Sequence, residues 1–284
     1  QRKQNVLHFL LQAKIEPGNL NVIQLSPTLQ ATRSNYTRVH KGRSPLYLEY
    51  FTGEKKVEIL VDQLQSEQGA RFYQKRNRNI IVEVDENEEL PVYENFVWAS
   101  LGQIKELLTY ANVVNMDTRT VISCIQYGNY SEKDLQLLSV FRLDTNLGHS
   151  DSFLYSVLSS DNHYNTMNSI IRWLTSLKFK YELNVDKIGL SEMNNWIYDG
   201  NVIEHKDKKY FSVIGVDVSI GNREVTHWDQ HMVKAAQEGI MGFLVKKING
   251  FFLLLRRPPR STLILALFHF ATPFRSLTGN YRNG

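Results

Sequence analysis

Lys14 and Glu16 stand two residues apart at the edge of a Glu-Pro-Gly-Asn turn. Together they offer a carboxylate that can take a proton and an ammonium that can hold a negative oxygen. Tyr36 sits in a polar loop between Arg33 and Arg38. Its phenol can donate or accept a proton or orient a ligand, and the flanking guanidiniums suit an anionic group. Glu67, in Gln-Ser-Glu-Gln-Gly, is a second carboxylate base. His227, Trp228 and Gln230 are grouped in His-Trp-Asp-Gln. An imidazole is suited to general acid work near neutral pH, and an indole face can stack on a ring. Each of these residues also has a structural reading. Tyr36 can be a half-buried tyrosine with a satisfied hydroxyl, Lys14 and Glu16 an exposed pair at a hairpin end, and Trp228 a core aromatic.

The elements around these residues must hold them. Residues 5–15, NVLHFLLQAKI, are apolar and partly alternating, which predicts a strand stopped by the turn at 16–19. Residues 20–25 resume as a second strand, so 5–25 reads as a hairpin. Residues 26–44 are rich in Ser, Thr, Asn and Arg and read as a long loop. Strands are expected at 46–51, 57–63 and 79–84, and helices at 100–111 and 117–125, the latter with Asp117 as N-cap. Residues 126–162 are polar and form the best linker. A helix fits 164–179, where Met167, Ile170, Ile171, Leu174 and Leu177 share one face, and strands fit 209–218 and 239–248.

Composition narrows the classes. Hydrophobic residues make up 42% and charged residues 22%, which describes a globular chain with a core. The one cysteine, Cys124, excludes an internal disulfide or a multi-cysteine zinc site, reads as inert helix filler, and fits a reducing, cytoplasmic compartment. His8 and His205 have no second ligand at metal spacing, so no metal is assigned. The net charge of +4 invites a nucleic-acid reading. Residues 251–276, however, hold Arg256, Arg257, Arg260 and Arg275 and no other charge; without these four, 29 basic residues face 29 acidic ones. No basic field for a phosphate backbone is left. Arg76 and Arg78 read as a solvated charge run. Outside 251–276 no apolar run approaches the length of a membrane span. The chain begins with Gln1 and shows no signal-peptide pattern, so the expectation is a start within a longer product.

Several long strings resemble the NDP-4-keto-6-deoxyhexose 2,3-dehydratase family. In the first part they are HFLLQAKIEPGN (8–19), QLSPTLQATRSNYTRVHKG (24–42), LEYF (48–51), LQSEQGARFYQKRNRN (64–79) and VNMDTRTVISCI (114–125). In the second part they are IEHKDKKYFSVIGVDV (203–218), NREVTHWDQ (222–230) and GIMGFLVKKING (239–250). The resemblance implies an α+β fold of two tandem duplicated Nudix-like units, with mixed β-sheet flanked by helices. The Nudix box is absent, so no pyrophosphatase activity is implied. An internal echo agrees with duplication: at an offset of 245, Asn280-Tyr281 lies over Asn35-Tyr36, and KKINGFF (246–252) over the N-terminus. On this reading 1–125 is the later part of a first repeat, 126–162 a linker and 163–284 the early part of a second, both repeats truncated and the segment inactive by itself.

The resemblance also implies the chemistry. Water leaves across C2 and C3 of a nucleotide-linked 4-keto-6-deoxyhexose, with dTDP-4-keto-6-deoxyglucose as the expected substrate. A base takes the C3 proton, a donor holds the C4 enolate oxygen and an acid protonates the departing C2 oxygen. No hydride moves, and the sequence has no dinucleotide fingerprint, P-loop, HExxH or EF-hand loop, so no cofactor is expected. The candidate catalytic residues are Tyr36, Glu16, Glu67 and His227. The candidate substrate-binding residues are Lys14, Gln24, Thr32, Arg33, Asn35, Arg38, Trp228 and Gln230, with Arg33 and Arg38 favoured for the diphosphate. The competing class is a non-catalytic nucleotide-sugar binding module. A second copy of the chain is a further candidate partner.

Residues 251–276, FFLLLRRPPRSTLILALFHFATPFRS, break the pattern. Phe, Leu, Arg and Pro dominate, and the Pro-Gly-Asn turn expected at this offset is missing. RRPPRSTL and the closing FRS resemble translated sequencing-adapter DNA. The expectation is a non-native stretch that departs from the geometry of the first repeat.

Overall fold

A computed structural model describes residues 2–3, 6–20, 22–39, 41–126, 164–221, 223–236, 239–248, 251–255 and 274–277, together with 153, 156 and 157. The expected linker at 126–162 lies almost wholly outside the described residues, as do 256–273 and Asn280-Tyr281. The chain divides into two compact units: residues 1–65, 76–125 and 214–232, and residues 66–75, 126–213 and 233–284.

The first unit is built on β1 (Arg2–Lys3), β2 (Val6–Ile15) and β3 (Ile23–Pro27). The Glu-Pro-Gly-Asn turn joins β2 to β3, with the Asn19 amide donating to the Glu16 carbonyl at 2.9 Å. Proline at the second turn position presets φ for this reversal. Gly18 packs closely: a Cβ there would stand 3.1 Å from Met232 Cε, which would have to shift slightly. Two one-turn helices follow, α1 (Arg33–Tyr36) and α2 (Glu49–Thr52), then the paired strands β4 (Glu58–Ser66) and β5 (Arg76–Glu83). After β6 (Phe96–Ser100) come α3 (Leu101–Leu107) and α4 (Met116–Ser123).

β2 is the central strand. It pairs antiparallel with β3, with Lys14 opposite Gln24, and with β6, with Leu10 opposite Trp98. Alternation sends its side chains to two faces. Leu10 joins Tyr47, Tyr50, Val84 and Phe96 on one, while Leu11 joins Ala99, Ile104 and Ile122 on the other. Both faces of β6 are therefore apolar, and that strand has no polar alternation to announce it. Among the described residues the ladders whose register is defined are antiparallel rather than mixed, and Leu25–Val114 is an isolated parallel bridge.

Two further expectations are corrected. The strand read at 46–51 is a turn running into α2. Tyr47, Tyr50 and Phe51 follow the i, i+3, i+4 spacing of a helix, which carries all three into the Leu10 core. The N-cap of α4 is Asn115 rather than Asp117. Asn115 Oδ1 accepts from the Thr118 amide at 2.8 Å while its Nδ2 donates to the buried Ser26 hydroxyl at 2.9 Å. One side chain thus caps the helix and fastens it to β3.

The Tyr50 hydroxyl donates to Glu88 at 2.7 Å. Burial first, and then this bond, push the Tyr50 phenol up to about 12. The same bond, with Lys55, lowers the Glu88 carboxyl. The tyrosine contribution is present below about pH 10 and fades as pH rises towards 12; the carboxylate contribution is present above the ordinary carboxyl range and fades as pH falls. Tyr50→Phe is expected to lower the urea midpoint near pH 7 by about half a molar. That difference from wild type shrinks in acid and at high pH, and urea titrations across pH check it.

In the second unit α5 (Met167–Lys180) is capped by Thr166, whose hydroxyl accepts from the Ser169 amide at 3.1 Å. A short 3-10 turn at Leu190–Glu192 precedes β7 (Trp196–Tyr198), β8 (Ile203–His205) and the first residues of β9 (Phe211–Ser219), which pair antiparallel in order. The rest of β9 belongs to the first unit, where it pairs with β10 (His227–Ala235). The single strand read at 239–248 is two: β11 (Gly239–Gly242) and β12 (Leu244–Ile248). β11 pairs with β14 (Phe274–Leu277) and β12 with β13 (Phe251–Leu255).

The β12–β13 register repeats that of β1–β2 at the offset of 245. Lys247 opposes Phe252 as Arg2 opposes Leu7, and Ile248 opposes Phe251 as Lys3 opposes Val6. Of the stretch 251–276 only residues 251–255 and 274–276 are among the described residues, and the rest of that expectation lies outside them. No helix among the described residues is long and apolar enough to cross a membrane.

Candidate active site

The Leu10 face of β2 becomes polar towards its C-terminal end, where Gln12, Lys14 and the cross-strand Gln24 continue it. Gln24 is buried, and its Oε1 accepts from Asn19 Nδ2 of the turn at 2.9 Å. Lys14 Nζ donates to Gln30 Oε1 at 3.2 Å and lies 3.3 Å from Glu16 Oε1. Gln30 Nε2 in turn donates to Asp117 Oδ2, which is what Asp117 does in place of capping α4.

Arg223, in the turn between β9 and β10, completes the group. Its Nη2 donates to the Ile15 carbonyl and stands 3.5 Å from Glu16 Oε2. Its guanidinium lies over the Trp228 ring, 5.8 Å from the centroid. Arg43 holds the turn from behind: its amide donates to the Glu224 carbonyl and its Nη2 to the Arg223 carbonyl, both at 3.1 Å. The side chains of Lys14 and Arg223 are each 14% exposed and that of Glu16 is 26% exposed. A carboxylate thus stands between two cations in a half-buried setting, where charge pairs act more strongly than in bulk water.

Two buried polar atoms of this group, Glu16 Oε1 and Arg223 Nε, make no hydrogen bond among the described residues. Lys14 Nζ lies within ion-pair distance of Glu16 Oε1, but the geometry is not that of a hydrogen bond. Buried polar groups are rarely left without a partner unless a site uses them. Here one acceptor and one donor are held side by side.

β10 separates the residues of His-Trp-Asp-Gln. Trp228 and Gln230 share one face, with Trp228 Nε1 donating to Gln230 Oε1 at 2.7 Å. His227 points to the other face, 64% exposed, 3.3 Å from Asp217 and 3.1 Å from the Ser219 hydroxyl. Strand alternation imposes this, so His227 does not join Arg223 and Trp228.

Tyr36, Arg33 and Asn35 form α1, one turn capped by Thr32, whose hydroxyl donates to Asn35 Oδ1 at 2.6 Å. Tyr36 is 46% exposed, and its hydroxyl has no hydrogen bond among the described residues. Arg38 follows in the left-handed region at φ 53°. Arg33, Tyr36 and Arg38 are all exposed, presenting a phenol and two guanidiniums on one short segment.

Glu67 belongs to the second unit, in the loop beyond β4, where it pairs with Lys75 at 2.8 Å. Arg78 makes a two-pronged bond to Asp62 across β4 and β5 and lowers the Asp62 carboxyl, as a solvated charge pair does. Among the described residues no group of three or more His, Cys, Asp or Glu could hold a metal ion.

Sequence reasoning found Lys14, Glu16, Gln24, Trp228 and Gln230 but missed Arg223 and Arg43. Arg223 stands inside a family-like string, yet its bond to Ile15 spans 208 positions, and no local pattern reports such a partner.

The chain is similar to known proteins over most of its length. It is 45% identical over 248 residues to a dTDP-4-dehydro-6-deoxy-alpha-D-glucopyranose 2,3-dehydratase of Saccharopolyspora spinosa, covering 86% of this chain and 49% of the relative. It is 38% identical over 249 residues to a protein of the same description from Amycolatopsis orientalis, covering 86% and 45%. A third, from Streptomyces violaceoruber, is 38% identical over 251 residues, covering 86% and 51%. The chain spans about half the length of these curated relatives. A model of the NDP-hexose 2,3-dehydratase family matches residues 1–125 and 167–258. Lys14, Glu16, Arg223 and Trp228 all fall inside those two segments, and the chain belongs to the NDP-hexose 2,3-dehydratase family.

Proposed function

We propose that the protein containing this chain removes water across C2 and C3 of a dTDP-linked 4-keto-6-deoxyhexose. The observation that carries the reading is the half-buried Lys14–Glu16–Arg223 group, in a chain whose relatives are described as 2,3-dehydratases. Glu16 takes the C3 proton, made acidic by the neighbouring C4 ketone. The C3–H electron pair becomes the enolate, whose C4 oxygen is held by the Lys14 ammonium. As the enolate collapses, the C2–O bond breaks and the leaving hydroxide is protonated to water, with Tyr36 as donor. The resulting C2–C3 enol tautomerises to a 2-deoxy-3,4-diketo sugar. Hydrogen and oxygen leave as water and no electrons change hands, so neither nicotinamide nor metal enters the balance. Trp228 and Gln230 contribute a stacking face and a polar contact to the sugar nucleotide, and Gln24, Thr32 and Asn35 further polar contacts. The exposed guanidiniums of Arg33 and Arg38 take the diphosphate. His227 and Glu67 are reserve candidates for the acid and base.

Two Nudix-like repeats are part of the proposal. Its support is the shared register of β1–β2 and β12–β13 at one offset. Residues 1–125 are then the later part of one repeat and 163–284 the early part of the next, with 126–162 between them. The composition break at 251–276 is proposed as non-native sequence, tested by reading the same region from an independent clone.

The full-length protein is expected to convert dTDP-4-keto-6-deoxyglucose to the 2-deoxy-3,4-diketo product with no added nicotinamide or metal. Chromatography and mass spectrometry of the sugar nucleotide check it. Binding without turnover makes the protein a nucleotide-sugar binding module, and turnover only with a redox cofactor overturns the elimination.

A further inference from the structure

Arg223 touches three things at once. Its Nη2 donates to the Ile15 carbonyl and stands 3.5 Å from Glu16 Oε2, its guanidinium carbon lies 5.8 Å from the Trp228 centroid, and its turn is fastened by Arg43. A guanidinium on a carboxylate differs from an ammonium there: its donors are set in a rigid planar fork, so it fixes the direction of the carboxylate and not only its charge. Lys14 on the other side has a freely rotating ammonium on a flexible stem. Arg223 stands at the Oε2 side of Glu16, 3.5 Å away, and Lys14 at the Oε1 side, 3.3 Å away. Oε2 faces the guanidinium, and Oε1, beside the Lys14 ammonium, makes no hydrogen bond among the described residues.

Resting on the dehydration reading above, we propose that Arg223 is the positioning residue of the reaction: it holds Glu16 Oε2 so that Oε1 faces the C3 proton. Arg223 itself does not touch the reacting atoms. Trp228 keeps the guanidinium plane in place, which accounts for an indole at that position without assigning it a proton. A base held within reach of its proton at the right angle supplies much of the rate of a proton transfer. Loss of the holder therefore affects turnover more than substrate affinity.

The test uses the full-length protein with dTDP-4-keto-6-deoxyglucose. Arg223→Ala is expected to lower kcat by roughly ten- to a hundredfold with KM changed by less than about threefold. Guanidinium ion at millimolar levels, below those that unfold the protein, restores a substantial part of kcat, because it can refill the place between Glu16 and Trp228. Methylammonium restores less, as does the Arg223→Lys variant. Added to Glu16→Gln, Arg223→Ala costs little more, since a holder has nothing to do once the base is gone. A purely structural arginine would instead lower the folded fraction and leave kcat per folded molecule, and its response to guanidinium, unchanged.

If the wild-type protein and Glu16→Gln behave as the dehydration reading requires while Arg223→Ala keeps wild-type kcat, this inference alone is overturned. The same holds if losses at Arg223 and Glu16 multiply independently. If the wild-type protein turns nothing over, the dehydration reading falls and takes this inference with it. If Glu16→Gln keeps full turnover, Arg223 has no base to position and the inference is likewise overturned.

Discussion

Glu16→Gln in the full-length protein is expected to lower turnover about a hundredfold or more, the usual cost of a lost general base. That corresponds to roughly 2.7 kcal/mol of barrier. The amide keeps the shape of the side chain and an acceptor oxygen for Arg223, so stability is expected to fall by only about 1 kcal/mol. Steady-state kinetics alongside urea unfolding separate the two quantities. Tyr36→Phe makes a companion case with a cleaner background. The phenol is 46% exposed, and its hydroxyl makes no hydrogen bond among the described residues, so its removal costs the fold almost nothing. Any loss of rate in Tyr36→Phe is then chemical. Near-normal turnover in both variants would return Glu16 to a hairpin-end ion pair and Tyr36 to the surface.

The second large effect is on stability. Ile104 on α3 is 0% exposed and packs with Leu11, Ala99 and Ile122, where β2, β6 and α4 meet. Ile104→Ala is expected to cost about 2–5 kcal/mol, the loss of buried methyl and methylene groups plus the cavity left behind. A marginally stable domain has few such losses to spare. The variant is expected to show a much lower urea midpoint with an unchanged slope. Leu107→Ala, on the same helix but outside the buried set, supplies the control with a smaller effect. Equal effects from the two substitutions would mean that the Leu11–Ile104 core is not where the structure places it.

Several elements could be read from the chain because their signals are local. The β2–β3 hairpin shows as an apolar run, a Glu-Pro-Gly-Asn reversal and a second apolar run, and the proline sets that reversal wherever the rest of the chain goes. α5 shows as helical spacing behind a threonine cap. Lys14, Glu16 and Tyr36 could be nominated because carboxylate, ammonium and phenol beside a turn or loop are chemically legible.

Other features depended on partners that no local pattern contains. β6 hid because both of its faces are apolar, with Phe96 in one core and Ala99 in the other, so the polar alternation that marks a half-buried strand was absent. Residues 46–51 looked like a strand, yet three aromatics at helical spacing had a core to reach, and burial decided for α2. His227 and Trp228 are neighbours in the chain and occupy opposite faces of β10, since a strand turns successive side chains apart.

What the amino-acid order determined by itself was the family, the hairpin and the chemical types on offer. Which of those types meet was decided only in three dimensions. Arg223 reaches Glu16 across more than two hundred positions because β9 and β10 fold their turn over the end of β2. The physical reason is range: turn and helix preferences act over a few residues, whereas an ion pair is set by the packing that brings distant segments within a few ångströms.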